Sequence, residues 1–150
     1  MATPLTLLMP VAPHADLIAL AATVKENQPK LHAALTAIGT VHYARTLLLD
    51  RAVTNLQPGI SPSKAYVLAV ITEYDGSFDK YIQDFVKEVG PIFDALLRFV
   101  DGAEKLIPVA NNTAAFTAFI AKNDASQHDL NQGLYQAYDA TVQTILASLP

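Results

Sequence analysis

Two alternating segments constrain this chain more than any other feature. Residues 40–50 read Thr-Val-His-Tyr-Ala-Arg-Thr-Leu-Leu-Leu-Asp, and residues 64–75 read Lys-Ala-Tyr-Val-Leu-Ala-Val-Ile-Thr-Glu-Tyr-Asp. Val, Thr, Ile and Tyr suit a pleated surface, and a strand turns successive side chains to opposite faces. Strict alternation puts Val41, Tyr43, Arg45, Leu47 and Leu49 on one face of the first strand, with His42, Ala44, Thr46 and Leu48 on the other. In the second strand Tyr66, Leu68, Val70, Thr72 and Tyr74 oppose Val67, Ala69, Ile71 and Glu73. Asn55, Pro58-Gly59, Ser61, Pro62 and Ser63 lie between them, a connection rich in turn residues. An antiparallel pair is the simplest arrangement.

The flanks carry other periods. Residues 5–11 are a short apolar run closed by Pro10 and Pro13, which predicts a buried strand. Leu17, Leu20 and Val24 recur at helical spacing behind Asp16, an acid favoured at a helix start. Pro29 interrupts that helix or starts a new turn; Leu31, Ala34, Leu35 and Ile38 resume the period up to Gly39, a plausible C-cap. After Asp75-Gly76, Ser77 can cap a helix whose apolar side is Phe78, Tyr81, Ile82, Phe85, Val86 and Val89. Gly90-Pro91 is expected to end it and open a shorter helix with Phe93, Leu96, Leu97 and Val100. Residues 101–112 read as irregular, 114–122 as a helix, 134–138 as a last strand and 141–149 as a terminal helix.

The order reduces to β-α-β-β-α-β with extra C-terminal helices, a single α+β domain over residues 1–150 of ferredoxin-like type with a four-stranded antiparallel sheet. Each strong helix has one apolar side, so the helices cover one sheet face. Composition bears on the other face. The chain is 51% hydrophobic and only 16% charged, against about 25% charged in an average soluble domain. A second copy facing the open side, a homodimer built as a dimeric α+β barrel, would bury it; homodimer interfaces are more apolar than ordinary surface. An Ala-rich chain that covers itself with small polar residues is the alternative.

The net charge is −4, and the ten basic residues are scattered singly, so the basic footprint of a nucleic-acid binder is missing. No apolar run approaches the ~18 residues of a membrane span. Cysteine is absent, which excludes disulfides, thiolate nucleophiles and Cys–zinc sites. The start, Met1-Ala2-Thr3-Pro4, lacks the basic region of a signal peptide, making the cytoplasm the expected location. Gly-x-Ser-x-Gly, Walker and dinucleotide glycine patterns do not occur.

Three segments carry a resemblance. Leu35-x-x-Ile38-Gly39-Thr40-Val41-His42-Tyr43-Ala44-Arg45 resembles the second-strand entry, His-[Phe/Tyr]-Ala-Arg, of a bacterial family of uncharacterised proteins. Tyr74-Asp75-Gly76-Ser77 is similar to its strand-to-helix turn, and Leu134-Tyr135-Gln136-Ala137-Tyr138 with residues 139–145 to its C-terminal part. The resemblance implies the ferredoxin-like, dimeric α+β-barrel grouping, which includes small monooxygenases, haem-degrading and haem-binding enzymes, dye-decolourising peroxidases and stress-responsive proteins. Asp139-Ala140 stands where that family has Gly-Arg, and Thr72-Glu73-Tyr74 replaces the Gly-x-x of the peroxidase Gly-x-x-Asp-Gly motif. Fold and dimer are therefore implied more than a reaction.

His42 is the first candidate catalytic residue, as a general base or haem ligand; a strand histidine bonded locally is the plainer alternative. Arg45 is the second, able to hold a substrate carboxylate or to pair with Glu73 on the neighbouring strand. The two fall on opposite faces by parity and cannot share a cavity without a bulge. Tyr43, Tyr66, Tyr74 and Tyr135 are candidate ligand-binding residues, or ordinary sheet and interface aromatics. His14, His32 and His128 show no metal spacing. Two functions follow as expectations. One is a binder of a small apolar or aromatic ligand, or an oxidative enzyme of monooxygenase-like or haem-dependent type. The other is a non-catalytic dimeric binding or stress-related protein.

Overall fold

The computed structural model describes residues 2–60, 63–127 and 138–150. Strands β1 (Ala2–Pro10), β2 (Val41–Asp50) and β3 (Tyr66–Asp75) form an antiparallel sheet in the order β1-β3-β2. The expected pairing of the two alternating segments is present, from Val41 opposite Tyr74 to Asp50 opposite Tyr66. β1 lies along the other side of β3, from Ala2 opposite Asp75 to Pro10 opposite Val67. Helix α1 (Leu17–Ile38) connects β1 to β2, and α2 (Phe78–Leu97), α3 (Thr113–Asn123) and α4 (Val142–Ser148) follow β3. Short 3-10 turns stand at Glu104–Leu106, Val109–Asn111 and Ala125–Gln127.

The four-stranded ferredoxin-like sheet, and the barrel built on it, must be corrected. Among the described residues the sheet has three strands. Of the expected last strand, 134–137 lie outside the described residues, and Tyr138 is in no strand and 87% exposed. The outer edge of β1, where a further strand could add, is occupied by side chains. The Thr6 N–H donates to Asp124 Oδ1 at 2.9 Å, and the Ser126 hydroxyl lies 3.1 Å from the Pro4 carbonyl. Asp124 also accepts from the Ser126 N–H at 3.0 Å, and Leu7 and Asp124 form an isolated bridge. A carboxylate and a hydroxyl thus close a row of backbone groups that would otherwise invite pairing.

Two expected helix breaks are also overturned. Pro29 lies inside α1 and Pro91 inside α2. The apolar positions of α2 stay in phase across Gly90-Pro91: Phe85, Val89, Ile92, Phe93, Leu96 and Leu97 are all buried. An interior proline costs roughly 3 kcal/mol, and burying each large apolar side chain returns about 1.5–3 kcal/mol, so the continuous face wins. Gly90 earns its place by packing, since a Cβ there would sit 3.3 Å from Val109 Cγ2. The ends of α1 follow the sequence more closely. Asp16 is the N-cap, its carboxylate accepting from the Ile18 and Ala19 N–H groups, and Gly39 ends the helix at φ 67°.

The core lies between one sheet face and the helices. Leu5, Leu7 and Met9 of β1 and Leu68, Val70 and Tyr74 of β3 pack with Leu20, Phe85, Phe93, Leu97, Phe116 and Ile120. The opposite face carries Leu8, Leu47, Leu49 and Ile71, which are half-buried and belong to no part of that core. Asp124→Ala should lower stability by about 2 kcal/mol, because it leaves the Thr6 N–H without its acceptor. Urea unfolding measures this; an unchanged midpoint would show that the β1 edge does not depend on the carboxylate.

Candidate functional site

His42 sits at a fault in the sheet. Val41 faces Tyr74 while Tyr43 faces Glu73, so β2 gains one residue over β3 at His42. The insertion breaks the strict alternation. Val41, expected on the face of Tyr43, instead packs against the core. His42 Nε2 lies 3.0 Å from Asp75 Oδ1, with the two side chains 15% and 12% exposed. Asp75 ends β3; its N–H donates to the Thr40 carbonyl at 2.8 Å, and its Oδ2 accepts from the Val142 N–H at 2.8 Å. Gly76, at φ 95°, turns the chain directly after it. One carboxylate therefore holds the start of β2, the end of β3 and the start of α4.

Burial acts to raise the Asp75 pKa, but the Val142 N–H, the hydrogen bond from His42 and the charge of His42 together outweigh it and hold the carboxyl below its ordinary value. An ionised carboxylate only accepts hydrogen bonds. The hydrogen between the two groups accordingly belongs to His42 Nε2. Nδ1 is left without a hydrogen-bond partner among the described residues.

His42 lines a cavity of about 690 Å³ between α1, the start of β2 and α4. Pro29, Leu31 and Leu35 come from α1, Val41 from β2, and Val142, Ile145 and Leu146 from α4. His32, Thr36 and Gln28 are on exposed positions of α1 and Tyr43 stands at the strand edge. Among the described residues no Lys, Arg, Asp or Glu lines it. α4 exposes much of its apolar side, Leu146 to 58%, and is fastened at its first residue to Asp75.

The other sequence candidates divide. Tyr43 lines the cavity and donates its hydroxyl to Glu73 Oε1 at 3.0 Å. Partial burial, then the Glu73 hydrogen bond and charge, raise its phenol pKa, with Arg45 acting the other way. Arg45 itself is exposed, faces Ile71 across the sheet, and makes no ion pair among the described residues. Its expected partnership with Glu73 is replaced by the Tyr43 hydroxyl, and it does not line the cavity. Tyr74 is a core residue, stacked on Tyr81 with ring centroids 4.1 Å apart. Burial and the charge of Asp124 push its pKa up to about 12. Tyr66 is buried in the core, its hydroxyl accepting from the Ser63 N–H at 3.3 Å. Tyr135 lies outside the described residues, as does His128. Asp75 was legible only as a turn residue, and His32 only as one of three histidines without a metal spacing. The signal for Asp75 was its position at the end of β3, beside the start of a paired strand.

Among the described residues no group of three or more His, Cys, Asp or Glu could hold a metal. Haem, a cofactor of some members of the grouping the sequence resembles, fits the described lining poorly, because no cationic side chain among the described residues is there to meet its two propionates. No helix among the described residues is long and apolar enough to cross a membrane. Neither family models, curated proteins nor solved structures give a match to this chain.

Asp75→Ala should free the start of α4, seen as faster amide exchange at Val142 and through the helix, while the β1–β3 amides keep their protection. The lowered pKa fixes the sign with pH. The contribution of Asp75 is complete above the ordinary aspartate value of about 3.9 and is lost as pH falls through the lower folded value. Protection of Val142 should therefore persist to pH values where an ordinary aspartate is already protonated, and an exchange profile that breaks near or above pH 5 would contradict this.

Proposed function

We propose that the protein binds a small apolar molecule in the cavity between α1, β2 and α4, and that it does so as a homodimer. The carrying observation is the conjunction of a 690 Å³ apolar cavity with one oriented, largely buried polar side chain, His42. Ligand sites commonly enclose about 300–1,000 Å³, with mostly apolar walls and few placed polar groups. Binding is favoured over catalysis because the lining, among the described residues, offers no cationic side chain to stabilise a developing anion. The cysteine-free chain suits a reducing cytoplasm.

The dimer reading rests on the sheet face away from the helices. Leu8, Leu47, Leu49 and Ile71 form its apolar centre, with exposed Arg45 and half-buried Glu73 beside it. Opposite charges on one patch make it self-complementary, as a twofold interface requires. A second copy can set Arg45 against the partner's Glu73.

Naphthalene and its simple derivatives should raise the melting temperature of the protein, the stabilisation reaching about 2.7 kcal/mol at a hundredfold excess over Kd. Ile145→Trp, which adds bulk to the wall formed by α4, should abolish that rise without lowering the melting temperature of the free protein. A rise that survives Ile145→Trp would place binding elsewhere. Light scattering should give twice the 16.1 kDa chain mass, and Leu47→Arg should return it to one. A wild-type mass of one chain would overturn the dimer.

A further inference from the structure

We infer that the ligand of this cavity carries a hydroxyl group, as an alcohol or phenol, on an otherwise apolar body, and that this hydroxyl donates to Nδ1 of His42. The inference rests on the proposal that the cavity binds a small apolar molecule, and it names the chemistry that would be selected. Three observations carry it. A charged ligand is disfavoured, because the described lining residues supply no opposite charge to compensate its loss of water. Most polar lining groups are already engaged or lie at the exposed rim. The Thr36 hydroxyl donates to the His32 carbonyl at 2.9 Å, the Tyr43 hydroxyl donates to Glu73, and Gln28 and His32 are exposed. That leaves His42, whose side chain is 15% exposed, as the largely buried polar group with an unpartnered atom among the described residues.

The sign of that atom follows from its neighbour. Both Asp75 oxygens accept hydrogen bonds, one from His42 Nε2 and one from the Val142 N–H. In a neutral imidazole with hydrogen on Nε2, Nδ1 is an acceptor. A hydroxyl satisfies it; a ketone, ether or hydrocarbon of the same shape leaves it unpaired. Sites built around one hydrogen bond discriminate by the group left unsatisfied when the wrong ligand enters. Asp75 acts here as a positioning residue, selecting the ring tautomer without touching the ligand.

Asp75→Asn separates this role from a merely structural one. The asparagine oxygen can still accept from the Val142 N–H, while its amide N–H₂ can donate to His42 Nε2. That exchange moves the ring hydrogen to Nδ1 and turns the acceptor into a donor. The probes are 2-naphthol, 2-acetylnaphthalene and naphthalene, titrated calorimetrically into the full chain at about pH 8, above the ordinary range of imidazole ionisation. The wild type should bind 2-naphthol about tenfold more tightly than the other two. In Asp75→Asn the order should reverse in favour of 2-acetylnaphthalene, with naphthalene affinity within about twofold as the check on an intact cavity. Long-range proton–nitrogen spectra should show His42 hydrogen on Nε2 in the wild type and on Nδ1 in the variant. His42→Phe should erase the advantage of 2-naphthol over naphthalene. Equal wild-type affinity for 2-naphthol and naphthalene would overturn the inference and leave the apolar-ligand reading standing. Retention of the preference for 2-naphthol over 2-acetylnaphthalene in Asp75→Asn, or over naphthalene in His42→Phe, would also overturn it. Failure of all three probes to bind the wild type would remove both.

Discussion

The Asp75 carboxylate is the interaction on which the site depends. Its two oxygens reach His42, 33 positions earlier, and Val142, 67 positions later. Its backbone N–H closes the mouth of the β2–β3 pair onto Thr40. A largely buried carboxylate is costly unless its lone pairs are used, and here each oxygen has its own donor. The same charge that needs those donors orients the ring beside it. The cavity wall, the strand end and the histidine tautomer thus follow from one ionised group.

The sheet explains why such a group is needed there. Helices α1, α2 and α3 bury one face of the sheet through an unbroken apolar cluster, but β2 is the edge strand and α4 adds to the structure beyond it. α4 spans only Val142–Ser148 and leaves Leu146 and Leu149 exposed. A helix this short is marginal without tertiary contacts. Its Thr141 cap, whose side chain accepts from the Thr144 N–H, and the Asp75–Val142 bond secure its first turn. The far side of the cavity is formed by the exposed half of α1, where Gly39 ends the helix and sends the chain directly into β2.

Much of this was legible and some of it was not, for identifiable reasons. The two alternating segments paired as their composition required, and Asp16, Gly39 and Ser77 marked helix ends because capping is local chemistry. Gly90-Pro91 misled, since a local breaker was outweighed by apolar positions that stay in phase on both sides of it. That the described residues form only three strands was not readable from periodicity. The β1 edge is closed by Asp124 and Ser126, polar residues in a segment with no strand pattern. His42 was singled out by residue type, but its partner was not, because Asp-Gly is read first as a turn and the bond to it spans a fold-level distance.

Parity separates His42 from Arg45 in an uninterrupted strand, but β2 is interrupted at His42 itself. The bulge leaves the Ala44 and Arg45 registers intact, opposite Thr72 and Ile71, so Arg45 remains on the outer face with Tyr43. What changes is confined to the entry of the strand: Val41 joins the core, and His42 is left between Val41 and Tyr43 as the residue with no place in the regular ladder. A ladder position would commit the side chain to one sheet face. A bulged position at the edge strand releases it to meet Asp75 and the cavity together. The local loss of regular pairing is confined to the one residue whose side chain the site requires, which is where departures from sequence-level rules are expected to concentrate.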